Sequence, residues 1–85
     1  MVDAAAVALF VVGYPVAIGI IARWVPVVRE QRWRWFWAHQ AAVAAIVAGH
    51  ALRESAGAVI INGTWWGVAA LWFLGAGALS RRRPP

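Results

Sequence analysis

The chain has 85 residues, is 64% hydrophobic, carries a formal charge of +5 and contains no cysteine. An ordinary soluble protein is nearer half apolar, and a soluble fold this small would leave much of that apolar area in water. The composition excludes disulfides, thiolate metal sites and cysteine nucleophiles, and the length suits a single domain over residues 1–85.

Residues 4–22 form the first apolar block, with the Tyr14 hydroxyl as its only side-chain hydrogen-bonding group. Nineteen helical residues reach about 28 Å, close to the depth of a hydrocarbon core. Asp3 is placed to cap this helix and to complement the positive end of its dipole. A cleaved signal peptide is not expected, because Asp3 stands where a positive n-region would be. Pro15 removes one helix hydrogen bond, so a bend or hinge is expected there.

Arg23-Trp24-Val25-Pro26 ends the block, and Pro26 is suited to open a following helix. Residues 28–37 then concentrate three arginines (Arg29, Arg32, Arg34), three tryptophans (Trp33, Trp35, Trp37) and Phe36. Guanidinium groups resist hydrocarbon, and indoles favour the layer where headgroups meet acyl chains. Trp24, Trp33, Trp35, Trp37, Trp65 and Trp66 therefore read as interfacial anchors. The basic residues flank apolar segments instead of forming a solvated basic face, so the expected partner is a lipid bilayer and not nucleic acid.

A second block begins near Phe36 and runs to Leu52, or to Ile61 if helix continues past Arg53-Glu54. Its small residues at spacings of three and four, such as Ala41, Ala45 and Gly49, mark it as the central helix of a bundle. Asn62-Gly63 is a turn signal, with Gly63 closing one helix and Thr64 capping the next. The third block runs to Ser80 and is stopped by Arg81-Arg82-Arg83. The expected architecture is all-α: an integral membrane bundle of three transmembrane helices over about 4–22, 36–61 and 64–80.

The arginines set the orientation. Arg23, Arg29, Arg32 and Arg34 lie in the first loop, and Arg81, Arg82 and Arg83 in the tail. Basic flanks stay cytoplasmic, and only an even number of crossings between the two clusters, as in a three-span chain, puts both on one side. The N-terminus is expected outside and the C-terminus inside a bacterial inner membrane.

His39 and His50, with Arg53 and Glu54, form a polar stripe on the second helix and a candidate lumen or helix-contact face. The histidines could be solvated near the two interfaces, line a pore or helix contact, bind haem or chlorophyll, or pass protons. They lie about 16 Å apart along one helix and cannot share a metal; no cofactor and no metal site are expected. The hydroxyls of Tyr14, Ser55, Thr64 and Ser80 match no nucleophile–base spacing with a histidine. The carboxylates are dispersed, and Gly75-Ala76-Gly77 lies within an apolar block, without the strand or the third glycine of a phosphate loop. An enzyme is not expected.

Asp3 before the first block, the loop 23–34, the Asn62-Gly63 turn and Arg81-Arg82-Arg83 together give a layout that resembles the small three-span phage holins. That resemblance implies self-association in the inner membrane, as a homo-oligomer, and lesions that release or activate an endolysin. A second class fits the same layout: a non-enzymatic accessory subunit that docks on partner membrane helices. A small oligomeric transporter is a more distant alternative, since the chain lacks a fourth span and an acid in its first helix.

Overall fold

The protein, as a computed structural model, is described over residues 2–82, and its described residues form helices joined by short turns, without strands. In chain order these are α1 (Val2–Ile21), α2 (Trp24–Arg29), α3 (Trp33–Leu52) and α4 (Ala56–Arg82). Arg83 lies outside the described residues.

The apolar run after Asp3 forms α1, with Asp3 in its first turn, and the helix continues through Pro15. Three membrane spans were expected, but two helices are long and apolar enough to cross a membrane. These are the segments Asp3–Ile21, of mean hydropathy 2.3, and Ala56–Ser80, of mean hydropathy 1.4. The difference lies in α3, which opens on Trp33-Arg34 and carries His39, Gln40 and His50.

The expected turn at Asn62-Gly63 is also corrected: both residues lie inside α4, and the break falls at residues 53–55. Gly63 takes no positive φ. Asn62 Nδ2 donates to the Ala58 carbonyl at 2.8 Å, and Thr64 Oγ1 donates to the Ile60 carbonyl at 2.7 Å. Both side chains thus bond the carbonyl four residues back instead of capping a new helix.

The true helix ends use another device. At the end of α2, Gln31 N–H donates to Val28 O and Arg32 N–H to Val27 O. At the end of α3, Glu54 N–H donates to Ala51 O and Ser55 N–H to His50 O. Each is a Schellman closure, whose pivot must enter the left-handed region and is usually glycine. Here the pivots are Gln31 at φ 50° and Glu54 at φ 57°.

Side-chain pairings place α3 antiparallel to both α1 and α4. On the α1 side, a Cβ built at Gly13 would lie 2.8 Å from Ile46 Cγ1 and 2.9 Å from the Ala42 carbonyl oxygen. Two backbones approach this closely only where one lacks a side chain. Nearer the other end of the same contact, Gly49 lies against the Phe10 ring. On the α4 side, Phe36 and Phe73 stack with ring centroids 4.2 Å apart. α2 turns inward with Trp24, Val27 and Val28 buried, at the spacing of one helical face, and these join Ile20, Phe36, Ala69 and Phe73 in one core cluster. Ala17, Ala42, Val43 and Ile46 form a second cluster, between α1 and α3.

Gln31 locks the arginine-rich connection onto α4. Its Nε2 donates to Val28 O at 2.9 Å and to Phe73 O at 3.1 Å. Gly77 admits the carboxamide, since a Cβ there would collide with Gln31 Oε1. Arg29 and Ser80 consequently line one cleft, so the first loop and the end of α4 lie at the same end of the bundle. Gly77→Ala is expected to expel the carboxamide and cost about 0.5–1.5 kcal/mol, the net worth of a typical hydrogen bond. Gly57→Ala, where a Cβ meets nothing within 4 Å, should be neutral or slightly stabilising. Unfolding midpoints of the two variants in mixed detergent micelles would check this, and equal midpoints would refute the lock.

Candidate functional site

The two histidines of α3 are held by different neighbours. His39 is wholly buried, at 0% exposure. Trp65 Nε1–H of α4 donates to His39 Nε2 at 3.0 Å. An indole nitrogen can only donate, so Nε2 is the unprotonated ring nitrogen and Nδ1 carries the proton. Nδ1 in turn donates to Gln40 Oε1 at 2.8 Å, and Gln40 Nε2 reaches the Trp66 carbonyl at 3.4 Å. Trp24 covers the ring from α2, with centroids 4.8 Å apart. His39 is therefore a neutral, fully satisfied imidazole that joins α2, α3 and α4. Protonating Nε2 would set two N–H groups against each other.

His50 belongs to the α1 contact. Its Nε2 is hydrogen-bonded to the Tyr14 hydroxyl at 2.8 Å, and its ring lies 4.6 Å from that of Phe10. Tyr14 and His50 are 36 residues apart in the chain. Tyr14→Phe should cost about 0.5–1.5 kcal/mol by leaving the imidazole nitrogen without its partner. The check is the same detergent unfolding experiment, with Phe10→Leu as a control for lost packing.

The four residues of the expected polar stripe thus separate. His39 faces α2 and α4, His50 faces α1, and Arg53 and Glu54 are exposed at the α3–α4 turn. Among the described residues no three His, Asp or Glu side chains come together as metal ligands. Both nitrogens of His39 and one of His50 are already engaged.

The tryptophans divide as well. Trp33, Trp35, Trp37 and Trp66 are exposed, Trp37 most of all at 61%. Trp24 is 4% exposed and Trp65 is half-buried, so these two are core residues and not surface anchors. The physical reason is α2, which swings Trp24 under the bundle, and the extra length of α4, which carries Trp65 down to the level of His39. Trp72 is an exposed tryptophan that the sequence did not single out.

Arg23, Arg29, Arg32 and Arg34 are all exposed at the α2 end. Among the described residues the one ion pair is Arg32 with Glu30, at 2.8 Å and half-exposed; a pair so placed contributes about 0–1 kcal/mol. Arg81 and Arg82 belong to the last turn of α4.

Gln31 was missed as a structural residue, and so was Tyr14 as the partner of His50. Neither carries a local signal, because each acts across a long stretch of chain. Comparison of the chain with protein-family models, curated proteins and solved structures finds no match.

Proposed function

We propose that the protein is a non-enzymatic membrane protein whose three long helices cross the bilayer and which assembles through α4. The observation that carries the assembly is the outer face of α4. Ile60, Gly63, Thr64, Gly67, Leu71 and Gly75 fall on one side of that helix, and Leu71 is 74% exposed. A Cβ at Gly63, Gly67 or Gly75 would meet nothing within 4 Å. The protein's other close-packing glycines, Gly13, Gly49 and Gly77, are already used inside the bundle. In lipid a face of small residues is where a second helix can approach closely.

Bilayer residence is supported by how little of the apolar helices is inside. Only 22% of the α1 segment and 11% of the α4 segment is buried, whereas the core helix of a soluble protein would be mostly buried. α3 is the third crossing in this proposal. Its polar side chains suit that place because His39, Gln40 and His50 all find partners within the bundle. With both arginine-rich ends together, the positive-inside rule puts them on the cytoplasmic side, N-terminus out.

The assembly is a holin-like self-association that opens the inner membrane. The accessory-subunit reading also has an observation in its favour: the imidazoles that would line a lumen are satisfied internally. Timed expression in a bacterial host separates the two. Abrupt lysis at a set time, abolished by Gly67→Leu with the chain still in the membrane, would support the pore. Continued growth, with the chain copurifying in a larger complex, would replace it with the accessory role.

A further inference from the structure

A groove and a cleft share two residues. Along the outside of the bundle, Pro15, Val16 and Gly19 of α1 and Ala38 of α3 line an apolar groove that ends at Arg23 and Trp35. The same Arg23 and Trp35 form one wall of a cleft of about 240 Å³, completed by Pro26, Val27 and Arg32. The groove owes its depth to Gly19, whose position has open space where a side chain would be. Arg23 has no acidic partner among the described residues, and Arg32 has only the half-exposed Glu30.

We propose that this continuous surface is a binding site for one anionic phospholipid. The phosphate is held between the Arg23 and Arg32 guanidinium groups, and one acyl chain lies along the Pro15–Gly19 groove. Guanidinium groups match phosphate oxygens in geometry and in charge. Trp35 stands at the junction, where the ester region of a lipid would lie. From Pro15 to Arg23 the groove follows α1 for roughly 12 Å, most of the roughly 15 Å hydrocarbon depth of one leaflet. Its polar end is the arginine-rich end of the bundle, so the site has the polarity of a lipid in the cytoplasmic leaflet, where anionic headgroups concentrate. A free phosphate would satisfy the arginines but leave the groove without an occupant, which favours the lipid. The site rests on the membrane reading above.

Native mass spectrometry of the full chain in detergent micelles tests it, with phosphatidylglycerol and phosphatidylcholine supplied together. The wild type should retain phosphatidylglycerol in preference. R23Q/R32Q should lose that preference by about tenfold or more, the loss expected for charged hydrogen bonds. R34Q, outside the cleft, should keep it. Gly19→Leu puts a side chain into the groove, its Cβ meeting nothing within 4 Å, and should lower retention of long-chain phosphatidylglycerol but not of a short-chain analogue. Near-UV circular dichroism of the tryptophans shows whether each variant is folded.

Equal retention of the two lipids by the wild type, or an equal loss in R34Q, would overturn the site. Displacement of the lipid by inorganic phosphate would overturn the acyl groove and leave a plain anion site. Carbonate extraction of cell membranes reports on the membrane reading separately. A chain released by carbonate refutes residence in the bilayer, and the lipid site with it. A chain that resists carbonate but shows no lipid preference refutes the site alone.

Discussion

Gly13→Leu is expected to separate α1 from α3 and to lower stability by about 1–3 kcal/mol or more, in the range measured for overpacked cores. Even the first added carbon would sit 2.9 Å from the Ala42 carbonyl oxygen, which is backbone and cannot rotate away. The Ile46 side chain beside it is buried, in the cluster with Ala17, Ala42 and Val43. Relief therefore requires the two helices to move apart, and that would open the cluster of Ala17, Ala42, Val43 and Ile46. Gly49→Ala should cost less, because the obstacle there is the Phe10 ring, at the end of a side chain that can swing. Unfolding in a graded mixture of mild and denaturing detergent, followed by tryptophan near-UV dichroism, gives the ranking. A Gly13→Leu protein as stable as the wild type would show that α1 does not pack on α3 as described.

Trp65→Phe is the second large effect, at about 1–3 kcal/mol. The ring volume is largely kept, but the buried His39 Nε2 loses its only donor, and an unsatisfied buried polar atom costs its desolvation in full. The asymmetry gives a sharper test. Adding His39→Leu to Trp65→Phe removes the stranded acceptor, so the double variant should be more stable than Trp65→Phe alone. Trp24→Phe makes a useful contrast, because the Trp24 Nε1–H is buried with no hydrogen-bond partner among the described residues; its removal discards a liability along with some area. Nitrogen chemical shifts of the imidazole should report the Nδ1–H tautomer. An Nε2–H tautomer would contradict the Trp65 bond, and with it the expected ranking.

Much of the layout was legible in the chain, but the boundaries were not. The long apolar runs and their small residues announced the helices and the central place of α3. Gln31 on Phe73 O and the Arg29–Ser80 cleft put loop 23–34 and the end of α4 at one end of the bundle. Glycine marks many helix ends, and that rule points to Asn62-Gly63 instead of the real break at residues 53–55. The chain ends α2 and α3 on Gln31 and Glu54, residues that rarely adopt positive φ, and it keeps Asn62-Gly63 helical by bonding Asn62 to Ala58 O. The histidine sites failed for a different reason. Helical spacing shows which side of α3 a residue leaves from, but not which helix it meets. Trp65 is 26 residues from His39, and Tyr14 is 36 from His50. Only the docked bundle brings them together.

The three-residue join between α3 and α4 bears on how the proposed membrane bundle would be threaded into a bilayer. In the three-span proposal, helices tied so closely cross as one hairpin, and its tip has to be carried through the hydrocarbon to the far side. That tip holds one guanidinium and one carboxylate, Arg53 and Glu54, whose charges cancel. Neutralising Glu54 would leave an unbalanced cation to be translocated and should increase the fraction of chains stranded with the hairpin uninserted.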